Sequence, residues 1–159
     1  MDHKIKTAGL IAFAAVFFII DRALKWLFAN LWLRADFKIS GDRFGLKLSL
    51  NQGVAFGWPV NTRLIIILTC LALFVLVYLA WLNYRQRNFF VFFAWTIVIA
   101  GAYSNLLDRL QLGAVVDYFS LQYFSVFNLA DVMITLGIAA IILYSFRQNK
   151  SMLPPSSNH

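Results

Sequence analysis

Glutamate is absent from this chain: all seven acidic residues are aspartate. Cysteine occurs once, as Cys70 inside an apolar run. Without a CxxC pair, disulfide-exchange chemistry is excluded. The single thiol reads as a small buried hydrophobe. Histidine occurs twice, at His3 and His159, close to the two ends. No His/Glu cluster offers a zinc site, and no glycine-rich loop offers a phosphate cradle. The excess of base over acid, 14 Lys/Arg against 7 acids, would suggest nucleic acid in a soluble protein. The basic helix or ribbon that such binding needs is missing, so no nucleic acid is expected. The bases lie mostly in short gaps between apolar stretches, a distribution suited to anionic headgroups of membrane lipid.

What is abundant is hydrocarbon. Of 159 residues, 61% are hydrophobic, and the mean hydropathy is +0.72. Soluble domains hold about 45–50% apolar residues, and a chain this short exposes too much surface to hide the difference. Lipid is therefore the remaining solvent.

A membrane span needs about 20 predominantly apolar residues. Four stretches qualify, at about 7–28, 64–82, 89–107 and 126–146. The first has the look of a secretory signal, with Lys4 and Lys6 ahead of apolar residues. Asp21, Arg22 and Lys25 stand where a small-residue cleavage site would be, so it reads as a retained helix. An even number of spans places both ends on one side. Lys4, Lys6, Arg85, Arg87, Arg147 and Lys150 fall on that side in short flanks. Arg34, Lys38, Arg43, Lys47, Arg63 and Arg109 fall on the other in longer loops. The counts tie, and basic density favours cytoplasmic termini.

Residues 31–61 form the largest piece outside the spans. Asp36 to Ser40 and Phe44 to Leu50 alternate apolar and polar residues around Gly41-Asp42. That pattern predicts a short β-hairpin on the membrane surface. Residues 1–150 are expected to form a single domain, with 151–159 as a disordered Ser/Pro-rich tail.

The awkward polar residues converge. Asp21 and Lys25 lie near the far end of span one. Asn51 lies in the following loop, and Asn105, Asp108 and Arg109 at the far end of span three. Asp117 falls in the next loop, and Asn128 and Asp131 in the first turns of span four. Antiparallel spans bring all of these to one membrane face. Charge near the middle of a span costs about 2.5–3.5 kcal/mol, so such residues mark candidate sites. Asp21 and Lys25 are four residues apart and can pair on one helix face. Gly101, Asn105 and Arg109 form a line, and Asn128 and Asp131 share a face. Several bland readings stand beside this one. Asp21–Lys25 suits a structural ion pair, and Asp108–Arg109 a membrane boundary. Asn51-Gln52-Gly53 suits a turn, and Asn128 a helix cap better than Asp131 does. Asp117 has the weakest structural excuse, lying between Val115-Val116 and Tyr118-Phe119 with no adjacent base. Two aspartates in a sheltered pocket share one proton, the division of labour used by aspartic proteases.

Five blocks of the sequence resemble the lipoprotein signal peptidase (signal peptidase II) family. They are Asp21-x-x-x-Lys25, Asn51-Gln52-Gly53-Val54-Ala55-Phe56-Gly57, Gly101-x-x-x-Asn105-x-x-Asp108-Arg109, Val115-Val116-Asp117-Tyr118-Phe119 and Phe127-Asn128-x-Ala130-Asp131. They occur in the family's order from span one to span four. The resemblance implies an all-α membrane fold of four transmembrane helices, with a small extracytoplasmic β-cradle and a short loop helix over the site. It implies removal of signal peptides from diacylglyceryl-modified prolipoproteins by cleavage before the lipidated Cys, without a cofactor or metal. The implied setting is the bacterial inner membrane, with the site at the extracytoplasmic leaflet. Cyclic peptide inhibitors of the family would be further ligands. By motif, Asp117 and Asp131 are the implied catalytic pair. Asn51, Gly53, Asn105, Arg109 and Asn128 would orient them and hold substrate, and Asp21, Lys25 and Asp108 would support. The chain has Ala100-Gly101 where the family usually has two glycines, Ser104 where it usually has Gly, and Leu24 where Thr is common. These departures leave the acids intact and bear on pocket shape. Two other functions fit the raw pattern: a small proton-coupled transporter or channel, and a non-catalytic relative keeping the scaffold. A transporter places its carboxylates near the midplane, which these are not. A mobile lid over 110–125 is also expected.

Overall fold

The computed structural model describes residues 3–30, 37–40, 44–53, 61–122 and 126–151. Four helices dominate: α1 (His3–Asn30), α2 (Thr62–Arg85), α3 (Phe89–Leu112) and α4 (Leu129–Ser151). Their apolar windows have mean hydropathies of 1.9, 2.8, 1.7 and 2.1, and each is long enough to cross a membrane. Each helix extends beyond the span read from sequence by two to five residues at one or both ends. Asn61 caps α2, its side-chain oxygen accepting from Arg63 N–H at 2.9 Å. Asn88 caps α3, and Gly113 ends that helix in the left-handed conformation at φ 72°, where glycine carries no Cβ penalty.

The helix α3 is the core of the bundle. Its apolar window is 44% buried, against 11%, 11% and 17% for α1, α2 and α4, and it packs against all three. The other helices turn large apolar side chains outward, among them Leu71, Phe74 and Val75 on α2. Cys70 is also exposed there, so its expected burial is corrected: a thiol serves on a lipid-facing surface as any small apolar group would. Between α3 and α4 the contact is close because glycine sits on both sides. A Cβ at Gly101 would stand 2.6 Å from Ala130 O, and one at Gly137 would stand 2.5 Å from a Val98 methyl. Small residues are how membrane helices approach.

Four strands form one antiparallel sheet in the order β1-β2-β3-β4: β1 (Phe37–Ser40), β2 (Phe44–Asn51), β3 (Val115–Leu121) and β4 (Val126–Phe127). The expected hairpin is β1 with β2; Asp36, Gly41 and Asp42 lie outside the described residues. The alternation did not reveal the other half of the sheet. Val115 to Leu121, expected within a mobile lid, is a strand paired to β2 in the register Ser49↔Asp117 and Asn51↔Val115. Val126 and Phe127, expected to open span four, pair instead with β3. Their β-branched and aromatic side chains suit either state, and strand pairing decides. The implied short loop helix is not among the described residues. Ser151, expected to begin the tail, closes α4, and 152–159 lie outside the description.

Candidate active site

Three buried charges anchor one end of the bundle. Lys25 Nζ lies 3.0 Å from Asp21 Oδ2 and 2.8 Å from Asp108 Oδ2. It also donates to Asn105 Oδ1 at 2.7 Å and approaches Ser104 Oγ at 3.4 Å. All three charged residues are about fully buried. Asp21 is satisfied on every side: it accepts from Ser104 Oγ at 2.6 Å, Tyr118 Oη at 3.2 Å and Ala130 N at 3.0 Å. Asp108 also pairs with Arg22 and accepts from Val116 N at 3.3 Å. Asp108 therefore ties α1 to α3 and β3. The ion pair read for Asp21 and Lys25 is present, and a buried ammonium with two carboxylates is tolerated because its donors are used.

This cluster aims the amides above it. Lys25 has only protons to offer, so the oxygen of Asn105 must face it. The Asn105 NH2 group then points at Asp131, donating to Oδ1 at 2.8 Å. Asn128 is fixed in the same way. Its side-chain oxygen accepts from Asp131 N at 2.9 Å while Asp131 Oδ2 accepts from Asn128 N at 3.2 Å. That reciprocal pair is a capping box, so Asn128 precedes α4 rather than lying in its first turn. With its oxygen used, Asn128 turns its NH2 to Asp117 Oδ1 at 2.6 Å and to Asn105 Oδ1 at 3.2 Å. Asn51, at the end of β2, donates to the other Asp117 oxygen at 3.2 Å. Its own oxygen accepts from Gly53 N at 3.0 Å, so the expected turn chemistry and the contact to Asp117 coexist. Arg109 donates to Gly53 O at 3.2 Å and to Asn105 O at 3.4 Å. Its buried Nε has no partner among the described residues.

Asp117 is 2% exposed. Burial first, and then the negative charge of Asp131, push its carboxyl up to about 6; the Asn51 and Asn128 hydrogen bonds and the Lys25 charge hold it back. Such a group carries a proton near the upper end of the acid range and gives it up readily.

Every residue singled out in the sequence for this site falls in one connected network. Three contributors were not assigned a role there. Ser104 bonds Asp21, and Arg22 pairs with Asp108. Tyr118 is completely buried, stacks on Phe28 at 4.8 Å between ring centroids, donates to Asp21 and accepts from Leu129 N at 3.0 Å. Burial and the Asp21 charge push its hydroxyl far up, so it remains a donor. Strand alternation carried the signal: if Asp117 faces the site, Tyr118 faces the bundle.

The fold and sequence have known counterparts. Two solved bacterial membrane enzyme structures obtained by the in meso method superpose on it. One has a TM-score of 0.82 at 24% identity, covering 95% of each chain. The other has 0.75 at 27% identity, covering 86% of this chain and 92% of that one. A protein of Brucella ovis named lipoprotein signal peptidase is 43% identical over 151 residues, 91% of this chain and 92% of that protein. A protein of the same name from Halothermothrix orenii is 35% identical over 136 residues, 83% of this chain and 91% of that one. The family model described as Signal peptidase (SPase) II matches residues 13–147. The match takes in α1 through α4 and every member of the buried network, and the chain belongs to the signal peptidase II family.

Proposed function

We propose that this chain is an aspartic endopeptidase of the bacterial inner membrane that removes signal peptides from diacylglyceryl-modified prolipoproteins, cutting before the lipidated Cys with Asp117 and Asp131. The carrying observation is that one residue, Asn128, holds both acids, through its side chain and through its backbone. The proton resides on Asp117. Asp131 accepts a proton from water as the water oxygen adds to the scissile carbonyl carbon, and Asp117 donates to the carbonyl oxygen. In the second step the C–N bond breaks as the leaving amine takes the proton held by Asp131 and one hydroxyl of the diol returns its proton to Asp117, releasing the acid product and restoring the dyad. Arg109 and Asn51 stand beside the dyad, and the Nε of Arg109, without a partner among the described residues, suits a substrate carbonyl. The dyad lies at one end of the helices, away from the midplane position a transporter needs. Placing this end at the extracytoplasmic leaflet lets the scissile bond arrive without lifting acyl chains from lipid, which would cost about 0.8 kcal/mol per CH₂. The termini are then cytoplasmic. Residues 1–150 as one domain complete this reading.

The direct test is incubation of the purified protein with a diacylglyceryl-modified precursor peptide, with and without a cyclic peptide inhibitor of the family. Release of the signal peptide, blocked by the inhibitor and absent for the unmodified precursor, is expected. Equal cutting of both precursors would remove the lipid from the recognition.

The raised Asp117 value fixes the sign of the pH response. The acid must be protonated to donate, so kcat/KM is expected to fall as pH rises through about 6, approaching tenfold per pH unit. The same shift makes the folded state favour the proton: stability from Asp117 is full below about 3.8 and lost as pH rises through about 6. A pH–rate profile flat from 5 to 8 would contradict the assignment of the proton to Asp117.

Close packing of α3 on α4 gives a third expectation. Gly101→Ala forces a Cβ against Ala130 O, one residue before Asp131. Overpacking of this kind costs about 1–3 kcal/mol. Gly101→Ala should lower both Tm and kcat, whereas Gly9→Ala, where a Cβ meets nothing within 4 Å, should lower neither.

A further inference from the structure

At the end of the bundle away from the dyad, α1 and α2 both pack on α3 and scarcely touch each other. The gap between them is a groove of about 680 Å³, walled by Ala14 and Ala15 of α1, Ala80 and Trp81 of α2, and Thr96 and Ala100 of α3. Its surface is almost wholly apolar. The two threonines on its walls turn their hydroxyls back to their own helices, Thr7 to His3 O at 2.9 Å and Thr96 to Phe93 O at 2.7 Å. Nothing polar therefore aims into it, and a peptide backbone would find no partner there.

The groove runs from Thr7 to Phe18 along α1, about 17 Å at 1.5 Å per residue. That is the depth of roughly one leaflet of a hydrocarbon core about 30 Å thick. The deep end is marked by Phe18 and Tyr103, stacked across α1 and α3 with centroids 5.8 Å apart. A transmembrane helix is about twice as long and about 10 Å across, so it matches neither the length nor the volume.

The mouth is basic and aromatic. The Lys6 ammonium sits 5.0 Å over the Phe89 ring, and the Arg85 guanidinium 5.5 Å over Trp81, itself a wall of the groove. Both cations are exposed, neither has an acidic partner among the described residues, and the rings hold them beside the opening. Basic pockets between membrane helices recognise anionic headgroups, and aromatic rings favour the interface at that depth. We propose that this groove binds an anionic phospholipid, one acyl chain lying between α1 and α2 and the phosphate held by Lys6 and Arg85.

The test is native mass spectrometry of the purified full chain after equilibration in nanodiscs of phosphatidylglycerol and phosphatidylcholine with identical chains. The wild type should retain phosphatidylglycerol selectively. Each basic residue contributes about fivefold, so Lys6→Gln with Arg85→Gln should reduce that selectivity roughly thirtyfold. Ala15→Phe fills the groove and should reduce retention of both lipids. Both variants should keep wild-type Tm and cleavage in detergent, since neither touches the dyad, which separates failure of the lipid site from failure of the peptidase reading. Equal retention of the two lipids by the wild type, or undiminished phosphatidylglycerol in either variant, would overturn the proposal. So would cross-linking of a precursor's apolar segment to Ala15→Cys, in a Cys70→Ser background, undiminished by phosphatidylglycerol.

Discussion

Asp117→Asn is expected to reduce cleavage of a diacylglyceryl-modified precursor by about 10²–10⁴-fold or more, with the protein still inserted and folded. The reason lies in what each group around it can offer. Asp117 accepts from two NH2 groups, those of Asn128 at 2.6 Å and Asn51 at 3.2 Å. An asparagine can keep the shorter of these with its oxygen, while its own NH2 meets the Asn51 NH2. Asn51 must then rotate and give up its bond from Gly53 N, a loss of about 1 kcal/mol. Against that, the variant no longer ionises a buried acid above pH 6, and the fold gains what the wild type loses there. The balance is near neutral for stability, while the variant can neither hold nor donate the dyad's proton. Asp131→Asn should behave alike in rate. It keeps one of its two acceptors, from Asn105 or from the Asn128 backbone, and loses the base. Asp21→Asn is the informative control. Its acid bonds Lys25, Ser104, Tyr118 and the Ala130 amide and meets no reacting atom, so Tm should fall first and rate only in proportion to unfolding. Precursor cleavage by Asp117→Asn at even a tenth of the wild-type rate would take the dyad out of the mechanism. So would a Tm loss as large as that of Asp21→Asn, because the rate loss would then report misfolding.

The contrast between these aspartates also shows what the sequence reveals and what it hides. Four spans are legible because hydrocarbon solvent leaves the chain few other solutions. The convergence at one end is legible too, since antiparallel spans turn positions along the chain into positions across the membrane. The i,i+4 spacing of Asp21 and Lys25 gave their pairing, and resemblance to a family supplied roles for the acids. What local pattern could not give was the second half of the sheet. Val115 to Leu121 contains a buried face on both sides near Asp117, so it shows no clean alternation, and Val126-Phe127 is too short to carry a period. The first becomes a strand because β2 presents an edge to it, and the second because β3 then presents its other edge. The roles of Ser104 and Arg22 depend on contacts spanning 83 and 86 positions, beyond any spacing rule. Tyr118 was within reach: a strand that turns one residue to the site turns its neighbour to the core. The groove between α1 and α2 is likewise invisible in the sequence, because it arises from two helices choosing the same third one.

Lys25→Met is expected to destabilise the folded protein by about 3–5 kcal/mol, the penalty for leaving a buried ion pair without one partner. The methionine is close to lysine in length and keeps the packing, so the effect isolates the charge. Asp108 retains Arg22, but Asp21 is left with only neutral donors at no solvent exposure. The consequence reaches the dyad. Lys25 holds the Asn105 oxygen toward α1 at 2.7 Å; without it that oxygen is left with the longer 3.2 Å bond from the Asn128 NH2, and a reversed amide would present oxygen to Asp131, where a donor is required. The remaining folded fraction should therefore show a lower kcat, beyond the loss of protein. Pairing Lys25→Met with Asp21→Asn removes the stranded charge and should recover a large part of the Tm without recovering the rate, because Asn105 still lacks its cation. Thermal unfolding in detergent, with cleavage normalised to folded protein, reads both quantities. A Tm for Lys25→Met within about 2 °C of wild type would mean that Asp21 finds another counter-charge. Full rate recovery in the double variant would mean that the amide at Asn105 is aimed by its own helix, and that the buried lysine serves the fold alone.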